Sequence, residues 1–212
     1  MPSRSGPSTR AAPTSTGSGS VLGVDPGLLR TGYALLDRAG APREARLIEA
    51  GVIRLPRERR SLPDRLIELE KSLETIIGSA RPNILACEEL YAHYRHPRTA
   101  ILMAHARGVI LALAARCGLR VLPVAATNVK KLLTGNGHAG KRQVQAAVAA
   151  TLGLPALPEP PDVADAIAIA LCGLRLWQAE TLERARAGVP THRAPGGVAG
   201  TARVARRRRA TL

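Results

Sequence analysis

The chain has 212 residues and a mass of 22.3 kDa, with 45% hydrophobic and 22% charged residues: enough for one core of ordinary size, not for two large domains. Its net charge is +15, from 31 Lys+Arg against 16 Asp+Glu, and only Lys71, Lys130, Lys131 and Lys141 among the cations are lysine. No apolar run is read as reaching the ~18 residues of a membrane span, and Cys87, Cys117 and Cys172, with no CxxC pair, argue against a disulfide scaffold or a zinc ribbon and fit a reducing cytoplasm.

Residues 1–20 hold three Pro, three Gly, six Ser and three Thr and no acid, a linker composition expected to be disordered. They lack the apolar stretch of a secretory signal, and Pro2, Pro7 and Pro13 would break the amphipathic helix of an organellar transit peptide. Val21 to Asp25 reads as a buried strand stopped by Pro26-Gly27. Arg30 to Asp37 and residues 44–55, with Leu47, Val52, Ile53 and Leu55, read as two more strands, and the short connections predict an antiparallel meander. Pro63 opens a helix with Leu66, Leu69, Leu73, Ile76 and Ile77 on one face. Asn83 to Glu88 predicts a central strand, 97–117 a long helix rich in small residues, and Leu119 to Val124 a further strand. Thr127 to Leu133 and Lys141 to Leu152 are predicted helices split by a Gly-rich loop, and Asp162 opens a last helix running to about Glu183. From Arg184 onward there are eight arginines and no acid, ending in Arg206-Arg207-Arg208-Arg209, a second tail expected to be flexible. The expected organisation is therefore a tail over 1–20, one α/β domain over 21–183 built on a mixed five-stranded sheet with helices on both faces, and an Arg-rich tail over 184–212.

The aromatics number only Tyr33, Tyr91, Tyr94 and Trp177, so the core is expected to be aliphatic and alanine-rich, with Met103 and Trp177 in it. Excess arginine points to nucleic acid or another anionic surface, although a solubilising tail is the plainer reading of the C-terminal run. The region 21–183 holds 21 basic and 16 acidic residues, so its own excess is +5.

Four acids stand at the ends of apolar elements. Asp25 closes the first strand, Glu88 closes the fourth, and Asp162 and Asp165 open the last helix with the i, i+3 spacing that puts them on one face. Each has a plain structural reading: a turn residue before Pro-Gly, a surface charge, a helix cap. If the first and fourth strands are neighbours, the four can meet, and such a cluster needs a counter-charge. Mg²⁺ or Mn²⁺ suits all-oxygen ligands, and two such ions can promote hydrolysis of a phosphodiester.

Three other readings compete. Gly135-Asn-Gly-His-Ala-Gly140-Lys141 fills seven positions of a P-loop, but the eighth is Arg142 rather than Ser or Thr and the preceding segment reads as helix. Asp25-x-Gly27 followed by Gly32 is similar to the phosphate turn of actin-like ATPases and sugar kinases, which need two domains that this length does not supply. A non-catalytic nucleic-acid-binding module would explain the charge but not four placed acids. Tyr91, His93, Tyr94, Arg95, His96 and Arg98 fall in one predicted loop, where interleaved aromatic and basic residues suit an unstacked DNA branch point; His93-x-x-His96 has no cysteine partners for zinc.

Taken together, Leu22-Gly-Val-Asp-Pro-Gly27 with Thr31-Gly-Tyr33, Ala86-Cys-Glu-Glu-Leu-Tyr91, Ala106-Arg-Gly-Val109, Asn128-Val-Lys130 with Gly135-x-Gly137 and Lys141, and Asp162 to Ala170 resemble, in order, the motifs of RuvC-type Holliday-junction resolvases. The resemblance spans roughly 21–178. It implies an RNase H-like fold, a homodimer, and symmetric paired nicking of a four-way DNA junction with a divalent metal, in recombination and repair. It implies metal ligands at Asp25, Glu88, Asp162 and Asp165, two Mg²⁺ or Mn²⁺ ions per site, a phosphate or transition-state contact at Lys141 and a DNA contact at Lys130. Tyr91 takes the place of an aromatic that stacks on unpaired bases, and Tyr94, Arg95, Lys131 and Arg142 are further expected DNA contacts. Adjacent strand residues face opposite ways, so only one of Glu88 and Glu89 should enter the site, and the motif selects Glu88. Asp162 stands where some relatives carry His, and Lys131 beside Lys130 blurs which of the two reaches DNA. The long helix, through Ala100, Ala104, Gly108 and Ala112, is expected to form part of the dimer contact, and a branch-migration motor is the further partner implied.

Overall fold

The computed structural model describes residues 19–27, 29–38, 45–55, 61–90 and 97–188. Five strands, β1 (Ser20–Asp25), β2 (Arg30–Arg38), β3 (Ala45–Arg54), β4 (Ile84–Glu88) and β5 (Arg120–Val124), form one sheet in the order β3-β2-β1-β4-β5. The meander β1-β2-β3 is antiparallel, as expected, while β1-β4 and β4-β5 are parallel. The helices are α1 (Leu62–Ala80), α2 (Pro97–Arg116), α3 (Ala126–Thr134), α4 (Lys141–Leu152) and α5 (Pro161–Arg186). The regular structure begins at Ser20 and α5 ends at Arg186, one and three residues outside the expected domain limits.

Strand β1 is central and covered on both faces, which is why its sequence is a continuous apolar run rather than an alternating one. Edge strand β3 carries Arg46 and Glu49 and alternates toward solvent. On one face, Leu22, Val24 and Leu85 meet Leu69, Leu73 and Ile77 of α1 and Ala106, Ile110, Leu113 and Ala114 of α2. On the other, Val21, Ala34, Leu36 and Ala86 meet α5 from Val163 to Leu174, with Val129 of α3 and Val144 and Val148 of α4 behind it. Each of these large buried aliphatic side chains contributes about 1.5–3 kcal/mol by leaving water. Trp177 packs partly buried against the second cluster, and Met103 is half-buried.

Local signals set the ends. Ser61 caps α1 reciprocally: its Oγ accepts from the Asp64 N–H, and Asp64 Oδ2 accepts from the Ser61 N–H at 3.0 Å. Helix α5 seats closely on the sheet because two strand glycines leave it room. A Cβ on Gly23 would fall 2.5 Å from Ala166 O and Ala170 N, and one on Gly32 only 2.1 Å from Asp162 O.

The sequence reading of membrane potential needs correction. Arg98–Arg116 in α2 is long and apolar enough, by length and composition, to cross a membrane. His105 and Arg107 break the run to the eye without removing its overall apolarity. In this fold the inner face of the helix packs into the core through Ala106, Ile110, Leu113 and Ala114.

Candidate active site

The parallel pairing of β1 and β4 aligns Val24 with Cys87, so Asp25 and Glu88 follow side by side at the carboxyl ends of the two strands. The β1–β2 turn is closed by Thr31, whose fully buried Oγ1 donates to Gly27 O at 2.6 Å and accepts from the Gly27 N–H at 3.3 Å. Asp162 is the second residue of α5, in the first turn behind the N-cap Pro160. The close seating of α5 on Gly32 brings its first turns, with Asp162 and Asp165, over the end of β1.

The charges register this meeting. Burial, then Asp165, Glu88 and Asp162, push the Asp25 carboxyl up to about 8, and Lys141 opposes them. Burial and Asp165 raise Glu88 against the pull of Lys130. Burial raises Asp165; Asp162 adds to this, while Lys141 and Lys130 oppose it. Acids from β1, β4 and α5 and two lysines from α3 and α4 thus form one electrostatic group. No three described His, Cys, Asp or Glu side chains are gathered closely enough to make a ready-made metal chelate. The donor chemistry fits a divalent cation even so: hard carboxylate oxygens whose mutual repulsion Lys130, Lys141 and Arg30 partly offset.

Glu88 feels Asp165 and Lys130. The Glu89 N–H donates to Val124 O at 2.9 Å, continuing the β4–β5 ladder. Among the neighbouring lysines, Lys130 acts on Glu88 and Asp165, whereas Lys131, one residue round the helix, lines a cleft with Asn128, Leu132, Cys172, Arg175 and Leu176. Lys141 is the first residue of α4, after Gly140, and Arg142 beside it is exposed. Tyr91, His93, Tyr94, Arg95 and His96 lie outside the described residues; Arg98 is exposed in the first turn of α2.

Two arginines escaped the sequence reading. Arg107 of α2 donates its Nε to Glu88 O at 2.9 Å and so ties the end of β4 to the helix. Its signal was a cation next to buried Ala106 in an otherwise apolar helix. Arg30 brings Nη1 within 3.9 Å of Asp162 Oδ2. Only the fold, which lays α5 over β2, could reveal that neighbour.

With this geometry, comparison with known proteins is specific. The family model for crossover junction endodeoxyribonuclease RuvC matches residues 21–173, most of the chain. The chain belongs to the RuvC family. It is 51% identical over 153 residues to the RuvC of Rhodopirellula baltica, covering 72% of this chain and 84% of that relative. It is 40% identical over 176 residues to the RuvC of a Parafrankia species, covering 83% and 96%. The solved structure of Thermus thermophilus RuvC in complex with a Holliday junction substrate is similar with a TM-score of 0.70 at 31% identity, covering 76% of this chain and 96% of that one. Membership makes the chain an endonuclease acting on crossover-junction DNA, on the RNase H-like sheet that the sequence led us to expect.

Proposed function

We propose that this RuvC-family chain resolves four-way DNA junctions as a homodimer, each subunit hydrolysing one phosphodiester bond, with Asp25, Glu88, Asp162, Asp165 and Lys141 as its catalytic residues. The observation that carries the reading is the convergence of carboxylates from three distant segments with Lys130 and Lys141. Asp25, Glu88, Asp162 and Asp165 would hold two Mg²⁺ or Mn²⁺ ions, which when bound would supply water activation and charge stabilisation at the leaving oxygen. Lys141 offsets the negative charge that develops on the phosphoryl oxygens, because its ammonium already acts on Asp25 and Asp165. Lys130 holds the DNA backbone beside Glu88 and Asp165, and Lys131 and Arg142 extend the cationic surface. Tyr91, Tyr94 and Arg95 are assigned to the unpaired bases at the crossover.

Helix α2 supplies part of the subunit contact through Ala104, Gly108 and Ala112, all exposed on this chain, with Ala100 half-buried beside them. A two-fold dimer matches a junction with approximate two-fold symmetry. A branch-migration motor and a cytoplasmic location complete the reading, with the segments before Ser20 and after Arg186 as tails outside the nuclease domain.

The test is nicking of a synthetic four-way junction beside a duplex of matched sequence, with Mg²⁺, with Mn²⁺ and with EDTA, for the native chain and Asp25→Asn. The expected result is paired nicks confined to the junction, dependent on metal and lost in the variant. Equal cleavage of the duplex, or normal nicking by Asp25→Asn, overturns the reading.

A further inference from the structure

Next to the acidic group lies a second concavity of about 440 Å³, a volume that suits a nucleotide-sized ligand. It is lined by Gly27, Leu29 and Arg30 of the β1–β2 turn, Arg65 of α1, Thr99, Leu102 and Met103 of α2, and Asp162. Asp162 is thus a shared wall: one side belongs to the carboxylate group, the other to this cleft. Helices α1 and α2 cover the opposite sheet face from α3 and α4. Arg65, on α1, therefore approaches from the sheet face opposite to Lys130 and Lys141, while Arg30 of β2 lies against α5 beside Asp162.

The lining has two chemistries. Arg30 is half exposed and only loosely paired with Asp162 at 3.9 Å, so its guanidinium has donors left for another anion. Arg65 has an Nε that is shut off from solvent and finds no hydrogen-bond acceptor among the described residues. Arg65 also lines the cleft, so a second guanidinium stands beside that of Arg30. Leu29, Leu102 and Met103 add an apolar wall. A free inorganic anion would meet repulsion from Asp162 and gain nothing from that wall. A nucleotide whose neighbouring phosphate is already held at the acidic centre would use both.

We propose that this cleft binds the nucleotide next to the scissile phosphate, with its phosphate between Arg65 and Arg30 and its sugar and base against Leu29, Leu102 and Met103. The inference rests on the nuclease reading above. It makes Arg30 and Arg65 substrate-positioning residues, and it gives the bound strand a path from Lys130 and Lys141, across the acids, into the cleft.

The test is equilibrium binding by the metal-free full-length chain, in EDTA, of four-way junctions that each carry one neutral methylphosphonate at a different position near the crossover. The native chain is expected to lose about tenfold in affinity at one position in particular. Arg65→Gln and Arg30→Gln are each expected to bind the unmodified junction more weakly and to show no further loss at that position, while the losses elsewhere persist. Arg30→Gln alters an exposed side chain and keeps the test usable if Arg65→Gln fails to fold. A native chain with no such position near the crossover, or variants that keep the full native pattern, overturns the cleft assignment. Because binding is read without metal, a chain that shows the position-specific loss yet nicks nothing with Mg²⁺ or Mn²⁺ supports the cleft and defeats the nuclease reading.

Discussion

Held up to about 8 by burial and by Asp165, Glu88 and Asp162, the Asp25 carboxyl is largely protonated at neutral pH in the metal-free protein, whereas an unfolded Asp ionises near pH 4. The folded state therefore binds the extra proton between about pH 4 and 8. The stability this group contributes is fully present below the unfolded value and is lost as pH rises through the folded one. Glu88 and Asp165, also raised, act in the same direction. Urea denaturation of the metal-free chain should show a lower midpoint at pH 8 than at pH 5.5, with Mg²⁺ restoring part of the loss at pH 8 by binding the folded state. Asp25→Asn should remove nicking yet raise the metal-free midpoint at pH 8, on the order of 1 kcal/mol. An unchanged or lower midpoint in that variant contradicts the electrostatic account. Neighbouring acids separate the same way: Glu88→Gln should cost at least about a hundredfold in nicking rate, a few kcal/mol in the barrier, and Glu89→Gln only a few-fold. Comparable losses in single-turnover assays would sink the choice of Glu88.

At the scale of elements, the distance between strand acids and helix acids is fixed by how tightly α5 lies on the sheet. Gly32→Ala places a Cβ 2.1 Å from Asp162 O, a backbone atom that cannot step aside alone. The helix must lift, at a cost of about 1–3 kcal/mol, and nicking should fall along with the thermal midpoint. Gly108→Ala, whose Cβ meets nothing within 4 Å among the described residues, should instead stabilise α2 modestly in the monomer. These neighbours explain what was legible beforehand. The strands were readable because β1 and β4 are buried on both faces and β2 and β3 form a short-turn meander. Asp25, Glu88, Asp162 and Asp165 were readable because a carboxylate ending an apolar run is unusual. The separate roles of Lys130 and Lys131 depend on which side of α3 faces the acids, and Arg30 and Arg65 meet only through the folded turn and the packed helices, so no local pattern announced them.

For the whole molecule, α2 presents two different faces. Its inner side fills the core, and its outer side exposes Ile101, Ala104, Gly108, Ala112 and Ala115 at helical spacing. Ile101, 58% exposed, adds a large apolar side chain to this stripe of small residues. Ala104→Glu should shift the chain from dimer to monomer in light scattering while leaving its far-ultraviolet circular dichroism intact, and it should uncouple the paired nicks. A variant that stays dimeric moves the contact elsewhere. Long-range attraction to DNA belongs to this scale too: removing 189–212, which contains six of the arginines, should flatten the dependence of junction affinity on salt without stopping cleavage.

The placement of α5 across β1 and β2 also orders events during synthesis. Asp25 and Glu88 are translated early, but Asp162 and Asp165 open the last helix, so a nascent chain carries half of its acids for as long as the ribosome takes to add more than seventy residues. Until α5 emerges, one face of the sheet lacks its cover and the acidic centre lacks two carboxylates. On the site assignment proposed above, the four carboxylates are complete only once α5 has been made, and a fragment ending before Pro161 lacks two of them.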